Sequence, residues 1–583
     1  MRTRLDSLSS VLLGMLLVLF AGCVAAPTTV AVVPAPEAAR SSGAIIRSDW
    51  IHHPVIGREA MVVSQNAIAS EIGHQILLAG GNAVDAAVAT GFALAVTLPR
   101  AGNLGGSGFM LVHLAESGKT VALDFRSAAP LAFEPSLYRK PDGSIDWQLM
   151  TFGAMAPAVP GTVAGLYEAW QRFGTLPWAE LLEPALELAT KGIVVSDDLA
   201  FALAQARDVL SRYPGSAAAY LKADGSTYQP GELLIQSDLA WSLRAIRDGG
   251  ADAFYRGKIT ERILDYLADT GGIISADDLQ QYRVRERPPV IGRYRGNQII
   301  AAPPVSGGGV TLVQMLHVLE HFPVGQLPAA SADSLHLLAE VMKRSAANRR
   351  VGIGDPDFVD VPITGFTNRA FAREIAGNID LAKATPVSAI EPADALKLES
   401  RDTTHFSIVD RYGNAVANTY TLGYSFGSGM AIPGTGILLD NQMRNFSHRE
   451  PDHANAPAPG KRMVSTMTPT IVLDPDDELL LVTGTPGGSR IINVLLQLIV
   501  NVIDHGMNIA EATQVPRIYQ GWRTSALGVE PGIGVDTIAL LRERGHDVGV
   551  QQTMGSTQSI VVRDSFLYGS ADPRRPGALA VGH

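Results

Sequence analysis

The chain has 583 residues, a length that at roughly 150 residues per domain suggests several domains, and its 57 acidic against 47 basic side chains leave a net charge of −10. Apolar residues at 46% and charged residues at 18% describe a packed globular protein and exclude a disordered one. Net acidity speaks against a nucleic-acid partner, which needs a basic stripe, and the single cysteine excludes an internal disulfide or a thiolate metal cluster.

At the amino terminus, Arg2 and Arg4 precede a short apolar run over residues 11–22. That run falls well below the ~20 residues of a spanning helix, so residues 1–22 are expected to be a secretory signal. Its end, Leu19-Phe20-Ala21-Gly22-Cys23, resembles a bacterial lipoprotein signal, in which the cysteine is lipidated and becomes the first residue. Ordinary secretion, with cleavage after Ala26, is the competing expectation. Residues 23–50 begin rich in Ala, Pro and Val without periodicity and are expected to be a flexible tether. The expectation is an exported, periplasmic protein that meets a membrane only through a lipid on Cys23.

From 61 to 98 short apolar strands alternate with Ala-rich helical patterns at 67–79 and 84–95. Between 102 and 130 come the cluster Gly105-Gly106-Ser107-Gly108 and two strand-like runs ending at Asp124-Phe125-Arg126. Residues 160–400 read mainly as helices, among them 178–191 and 331–350, the second opening at a capping Ser331. Near Arg401 the texture turns to β. Runs at 403–409 and 415–421 flank the turn Arg411-Tyr412-Gly413-Asn414 and predict a hairpin. Strands are expected at 465–473 and 478–483, then a glycine loop over 484–490, a long apolar helix over 491–503, and a last hairpin within 556–568. Helices flanking stacked antiparallel sheets agree with this order.

Several chemistries lack their residues. None of the 13 histidines forms the paired set of a zinc protease. Asp355, Asp357 and Asp360 lack the glycine and terminal Glu of a calcium loop and read as a solvated acidic loop. Gly105–Gly108 and Ser306–Gly309 lack the following Lys-Ser/Thr of a phosphate loop and read as structural turns. Gly423-Tyr424-Ser425-Phe426-Gly427 matches a hydrolase nucleophile elbow, but the three glycines and the proline of 428–439 deny it the helix that must follow.

Asp402-Thr403-Thr404-His405 opens the hairpin. Paired threonines alone are ordinary strand residues. If the chain is cut before Thr403, however, the threonine acquires its own base, an α-amine titrating near pH ~8 within reach of its Oγ. The same hydroxyl can make that cut by attacking the carbonyl of Asp402 and passing through an ester.

The run Thr403-Thr404-His405-Phe406-Ser407, the segments 414–421 and 436–443, and Pro486-Gly487-Gly488-Ser489-Arg490 resemble the γ-glutamyltranspeptidase family. So do 80–87, 103–110, Asp124-Phe125-Arg126 and 554–559, all in family order over about 55–575. The resemblance implies an N-terminal-nucleophile hydrolase of α+β class. It would be a four-layer αββα sandwich, one intertwined domain self-cleaved into a large chain (51–402 after the tether) and a small chain (403–583) that stay together as a heterodimer. It also implies Thr403 as nucleophile, Thr421 as the hydroxyl that positions it, and Gly487 and Gly488 as oxyanion donors. Arg126, Ser465 and Thr466 would hold the substrate α-carboxylate, Thr466 standing where the family usually has a second serine, and Gln442 is retained. No metal or other cofactor is implied. The substrate would be glutathione or a related γ-glutamyl amide, with water or an amino acid or peptide as acceptor.

The pattern breaks in three places. Where the family grips the glutamyl α-ammonium with an acidic residue, this chain has Asn445, which forgoes an interaction of roughly 1.5–3 kcal/mol. Gly423 stands where the family often has Asn, and the linker between Ser447 and Lys461 is short and lacks tyrosine, as in members without a lid. These departures leave open a cephalosporin-acylase-like enzyme acting on glutaryl or adipyl amides, and, from another class, an inactive periplasmic binding or scaffold protein.

Overall fold

The computed structural model describes residues 51–350, 352–390, 402–522 and 526–583. The expected signal 1–22 and the tether 23–50 with Cys23 lie outside them. Two antiparallel seven-stranded sheets organise the chain. One runs, edge to edge, Val55–Gly57, Phe566–Ala571, Gln558–Arg563, Leu479–Gly484, Thr470–Leu473, Asn297–Ala301 and Val290–Tyr294. The other runs Leu579–Gly582, Met61–Ser64, Asp402–Val409, Ala415–Gly423, Ser107–Leu114, Lys119–Phe125 and Arg285–Arg287.

Strand periodicity explains how these sheets pack. Met61, Val63, Leu111 and Ala417 face Ile471, Val482 and Ile560 across the gap between the sheets, while Val62, Met110 and Val416 point the other way. Both faces are therefore apolar, and each outer face needs a helical cover. Helices Ala67–Leu78, Ala83–Thr97, Thr162–Phe173, Trp178–Lys191 and Ser237–Tyr255 share a core with one sheet. Helices Gly308–Leu319, Ala332–Arg349 and Arg490–Ile503 share a core with the other. The result is the expected four-layer αββα sandwich. Each sheet mixes strands from before and after Asp402, so the described residues form one intertwined body rather than the several domains that length suggested.

The helices expected at 178–191 and 331–350 are Trp178–Lys191 and Ala332–Arg349, and the Ser331 side chain caps the second by accepting from the Ser334 N–H at 3.2 Å. The strand expected over 465–473 is confined to Thr470–Leu473, because 465–469 leaves the ladder to border the site. The mainly helical reading of 160–400 missed the strands Arg285–Arg287, Val290–Tyr294 and Asn297–Ala301, which edge both sheets. Their signal is a two-residue turn, Arg295-Gly296, with φ of 50° and 87°, the left-handed pair that matches the twist of a tight hairpin.

Candidate active site

The hairpin Asp402–Val409 and Ala415–Gly423 lies at the centre of its sheet. Asp402 pairs with Gly423 but Thr404 pairs with Tyr420, so the register slips by one residue across Thr403. A bulge of this kind re-aims a side chain, and here it coincides with the residue singled out as nucleophile. Thr403 is buried, and its Oγ1 donates to the Oγ1 of Thr421 at 3.3 Å. The Thr421 hydroxyl in turn accepts the Gly423 N–H at 2.8 Å.

His405, two residues away, is not available as a base. It is buried, with Nδ1 2.8 Å from Thr419 Oγ1 and Nε2 3.0 Å from Ser407 Oγ. Ser407 spends its one proton on the carbonyl of Gln558, so Nε2–H donates to Ser407 and Nδ1 accepts from Thr419. Burial pulls the imidazole down to about 3, which keeps it neutral.

Thr403 and Thr421 open onto a cavity of about 140 Å³. Gly488 borders it, and Gly487 lies one residue earlier in the same turn, ahead of the helix Arg490–Ile503. Their φ values, 135° and 59°, belong to backbone that only glycine adopts without strain. No acceptor among the described residues takes the N–H of Gly487 or Gly488. Thr466 Oγ1 pins the turn by donating to the Gly488 carbonyl at 2.9 Å. Such a turn, with a helix N-terminus behind it, favours developing negative charge.

Arg126 follows the strand Lys119–Phe125 and is 1% exposed. Its Nε donates to the Met463 carbonyl and its Nη1 to Ser107 Oγ, both at 3.2 Å. Burial pulls it down to about 10 against the opposing fields of Asp440 and Asp124, so it remains a cation. Asp124 is itself held by Arg287 and Arg462, each at 2.8 Å. Ser465, Thr466 and Asn445 also line the cavity. Gln442 sits behind it, with Nε2 donating to Ser107 Oγ at 2.8 Å and to the Thr421 carbonyl at 3.2 Å.

Ser107 therefore joins the arginine to the hairpin that carries Thr403 and Thr421, and it was not foreseen. Its signal is the glycine cluster around it: a Cβ on Gly106 would lie 2.2 Å from the Thr421 carbonyl oxygen, and one on Gly108 2.5 Å from that of Thr419. From Ser107 onward the cluster is strand packed against strand, where a turn was expected. Ser306–Gly309 is a brace: Ser306 Oγ donates to the Met467 carbonyl at 2.6 Å and holds the 465–468 segment against the cavity. Arg349, Arg350, Arg444, His453 and Asn455 complete the wall and were also missed, the last two coming from the short linker. No Asp or Glu lines the cavity among the described residues.

Two other groups of acidic residues resolve on structure. Asp355, expected in a solvated loop, is buried and paired with Arg287 at 3.1 Å, with Asp357 beside it on the same guanidinium. His336, Glu340 and His546 converge in a buried cluster of metal-ligand type, but the carboxylate of Glu340 is held by Lys343 and Arg344.

Comparison with known proteins gives a consistent set of likenesses. The profile of the family described as Gamma-glutamyltranspeptidase matches residues 69–582. The glutathione hydrolase proenzyme of Escherichia coli (strain K12) is 44% identical over 544 residues, covering 91% of this chain and 93% of that protein. The acylase ACY 1 proenzyme of Pseudomonas sp. (strain SE83) is 41% identical over 501 residues, covering 85% and 88%. Among solved structures, the cephalosporin acylase from Bacillus halodurans superposes with a TM-score of 0.82 at 26% identity, over 93% of this chain and 99% of that one.

Proposed function

We propose a function from one premise: the chain belongs to the gamma-glutamyltranspeptidase family. It is an enzyme, and members of the family are made as proenzymes processed into a large and a small chain. In our reading Thr403 is the nucleophile, first on its own chain and then on substrate. Its Oγ attacks the Asp402 carbonyl carbon, the peptide bond passes to an ester, and water releases a large chain ending at 402 and a small chain of 403–583.

The α-amine so freed takes the Oγ proton as Thr403 attacks a γ-glutamyl amide. Thr421 holds the hydroxyl in line. The N–H groups of Gly487 and Gly488 receive the oxyanion, and the protonated amine returns its proton to the departing amine. Arg126 and Ser465 take the α-carboxylate, Thr466 keeps its proton on the Gly488 carbonyl, and Gln442 and Asn445 stand at the amine end. Water or an amine then resolves the ester. Glutathione is the donor we favour. We also favour hydrolysis over transfer, because the short 448–460 linker carries no lid tyrosine; dominant dipeptide formation at saturating acceptor would refute that.

The observation that carries this reading is a pair of buried threonine hydroxyls at a strand bulge beside a Gly-Gly turn, with the nearby histidine locked elsewhere. Denaturing gels test it: the wild type should give two bands meeting at Asp402/Thr403, and Thr403→Ala should remain whole and inactive. An uncut, active wild type would overturn it.

A second reading is favoured by one observation: Asn445 and the carboxylate-free cavity wall provide no anionic partner for an ammonium. Glutaryl or adipyl amides have none to place. Parallel assays on γ-glutamyl and glutaryl anilides separate the two, and Asn445→Asp should shift preference towards γ-glutamyl. We also propose export to the periplasm with a lipid anchor on Cys23; metabolic labelling that fails on the wild type, or survives Cys23→Ala, would refute the anchor.

A further inference from the structure

The 3₁₀ turn Gln442–Asn445 places a residue in the cavity wall that no step above uses. Arg444 is 4% exposed, and its Nε and Nη1 are buried with no hydrogen-bond partner. Its guanidinium carbon lies 3.7 Å over the ring of Tyr424, which engages the flat face of the cation. The N–H bonds of a guanidinium lie in its plane, so stacking on the ring satisfies none of them. No carboxylate lines the cavity among the described residues to neutralise it, and Arg126, Arg349 and Arg350 add like charge. A buried cation without an anion is costly to keep, whereas the same cation facing a cavity that admits an anion is a binding group. Its place is also informative. Arg444 adjoins Asn445, and Tyr424 adjoins Gly423, so the stacked pair stands beside both positions that depart from the family's grip on an ammonium.

We propose that Arg444 is a second anion-binding residue of the catalytic cavity, so that the favoured donor carries a carboxylate for it besides the one Arg126 takes. This rests on the cavity being the substrate site. The second carboxylate can belong to the leaving group, as in a γ-glutamyl peptide with a free C-terminus, or to the acyl group, at the end where relatives place an ammonium.

Calorimetric binding of fragments to the self-processed protein tests this without requiring turnover. For the leaving group the pair is 5-amino-2-nitrobenzoate against 4-nitroaniline. For the acyl group it is propane-1,1,3-tricarboxylate against glutarate. In wild type the carboxylated member of at least one pair should bind about tenfold tighter or more, and the pair that responds names the source. In Arg444→Gln that advantage should fall below about threefold, with Arg444→Lys keeping part of it. Equal binding within both pairs, or an advantage unchanged in Arg444→Gln, would overturn the proposal. The Gln variant's own two-band gel pattern shows that it has folded. If wild type stays uncut, the titrations are run on that precursor: a pair that still discriminates through Arg444 supports this subsite and indicts only the role given to Thr403.

Discussion

Replacing Thr421 by valine keeps the shape of the side chain and removes only its hydroxyl. That hydroxyl holds two things: it accepts the Thr403 Oγ–H at 3.3 Å and the Gly423 N–H at 2.8 Å. Valine takes the acceptor away from the Thr403 hydroxyl inside a buried hairpin, and an orphaned buried donor costs about 1–3 kcal/mol. The folded precursor loses stability of about that size. The larger effect falls on chemistry, because Thr403 loses the contact that orients it. If the same 1–3 kcal/mol is lost from the transition state, self-cleavage slows roughly 5- to 150-fold. A time course of precursor disappearance on denaturing gels measures this, and Thr421→Ser should restore most of the rate. Cleavage of Thr421→Val at the wild-type rate, with the protein folded, would refute the reasoning.

Three further outcomes follow from the same geometry. Arg126→Lys forfeits the fork that reaches Met463 and Ser107 at once, so KM for a carboxylate-bearing donor should rise about 10- to 100-fold with a smaller change in kcat; a kcat-only effect would contradict a binding role. Thr466→Val leaves the Gly488 carbonyl unpinned and should lower kcat about fivefold, with Thr466→Ser close to wild type in the same steady-state assay. Stability should fall with acid. Burial holds His405 at about 3 and both His448 and His546 at about 4, so below pH ~6.5 the unfolded chain gains protons that the folded chain does not, costing about 2 kcal/mol per histidine by pH ~5. Asp440, raised to about 6 by burial, opposes this over the lower part of that range. Thermal unfolding at pH 7.5 and 5.0 checks the sum, and an equal or higher midpoint at pH 5.0 would contradict it.

The elements that carry the chemistry were legible because their signals are local. A β-rich run, a turn and a second β-rich run predict the Asp402–Val409 and Ala415–Gly423 hairpin. A Gly-Gly pair before a long apolar run predicts a turn entering a helix, and the two positive φ angles are the physical reason glycine stands there. Local signals also disposed of the nucleophile elbow, since no helix follows Gly423–Gly427.

What escaped sequence reasoning depends on partners distant along the chain. Asp355 sits in an acidic run, and nothing near it tells of Arg287 at 3.1 Å. Ser107 is one hydroxyl in a glycine cluster until two strands bring it against Arg126 and Gln442. Arg444 is one cation among many until burial strips it of water and leaves its Nε and Nη1 unpaired. By itself, then, the sequence determined the hairpin, the glycine turn, the apolar layers and the threonine that a cut would expose, because each rests on periodicity or backbone freedom within a few residues. Only the tertiary structure decided the charge of the cavity and the register slip at Thr403, because both are set by what the fold packs against those residues from elsewhere in the chain.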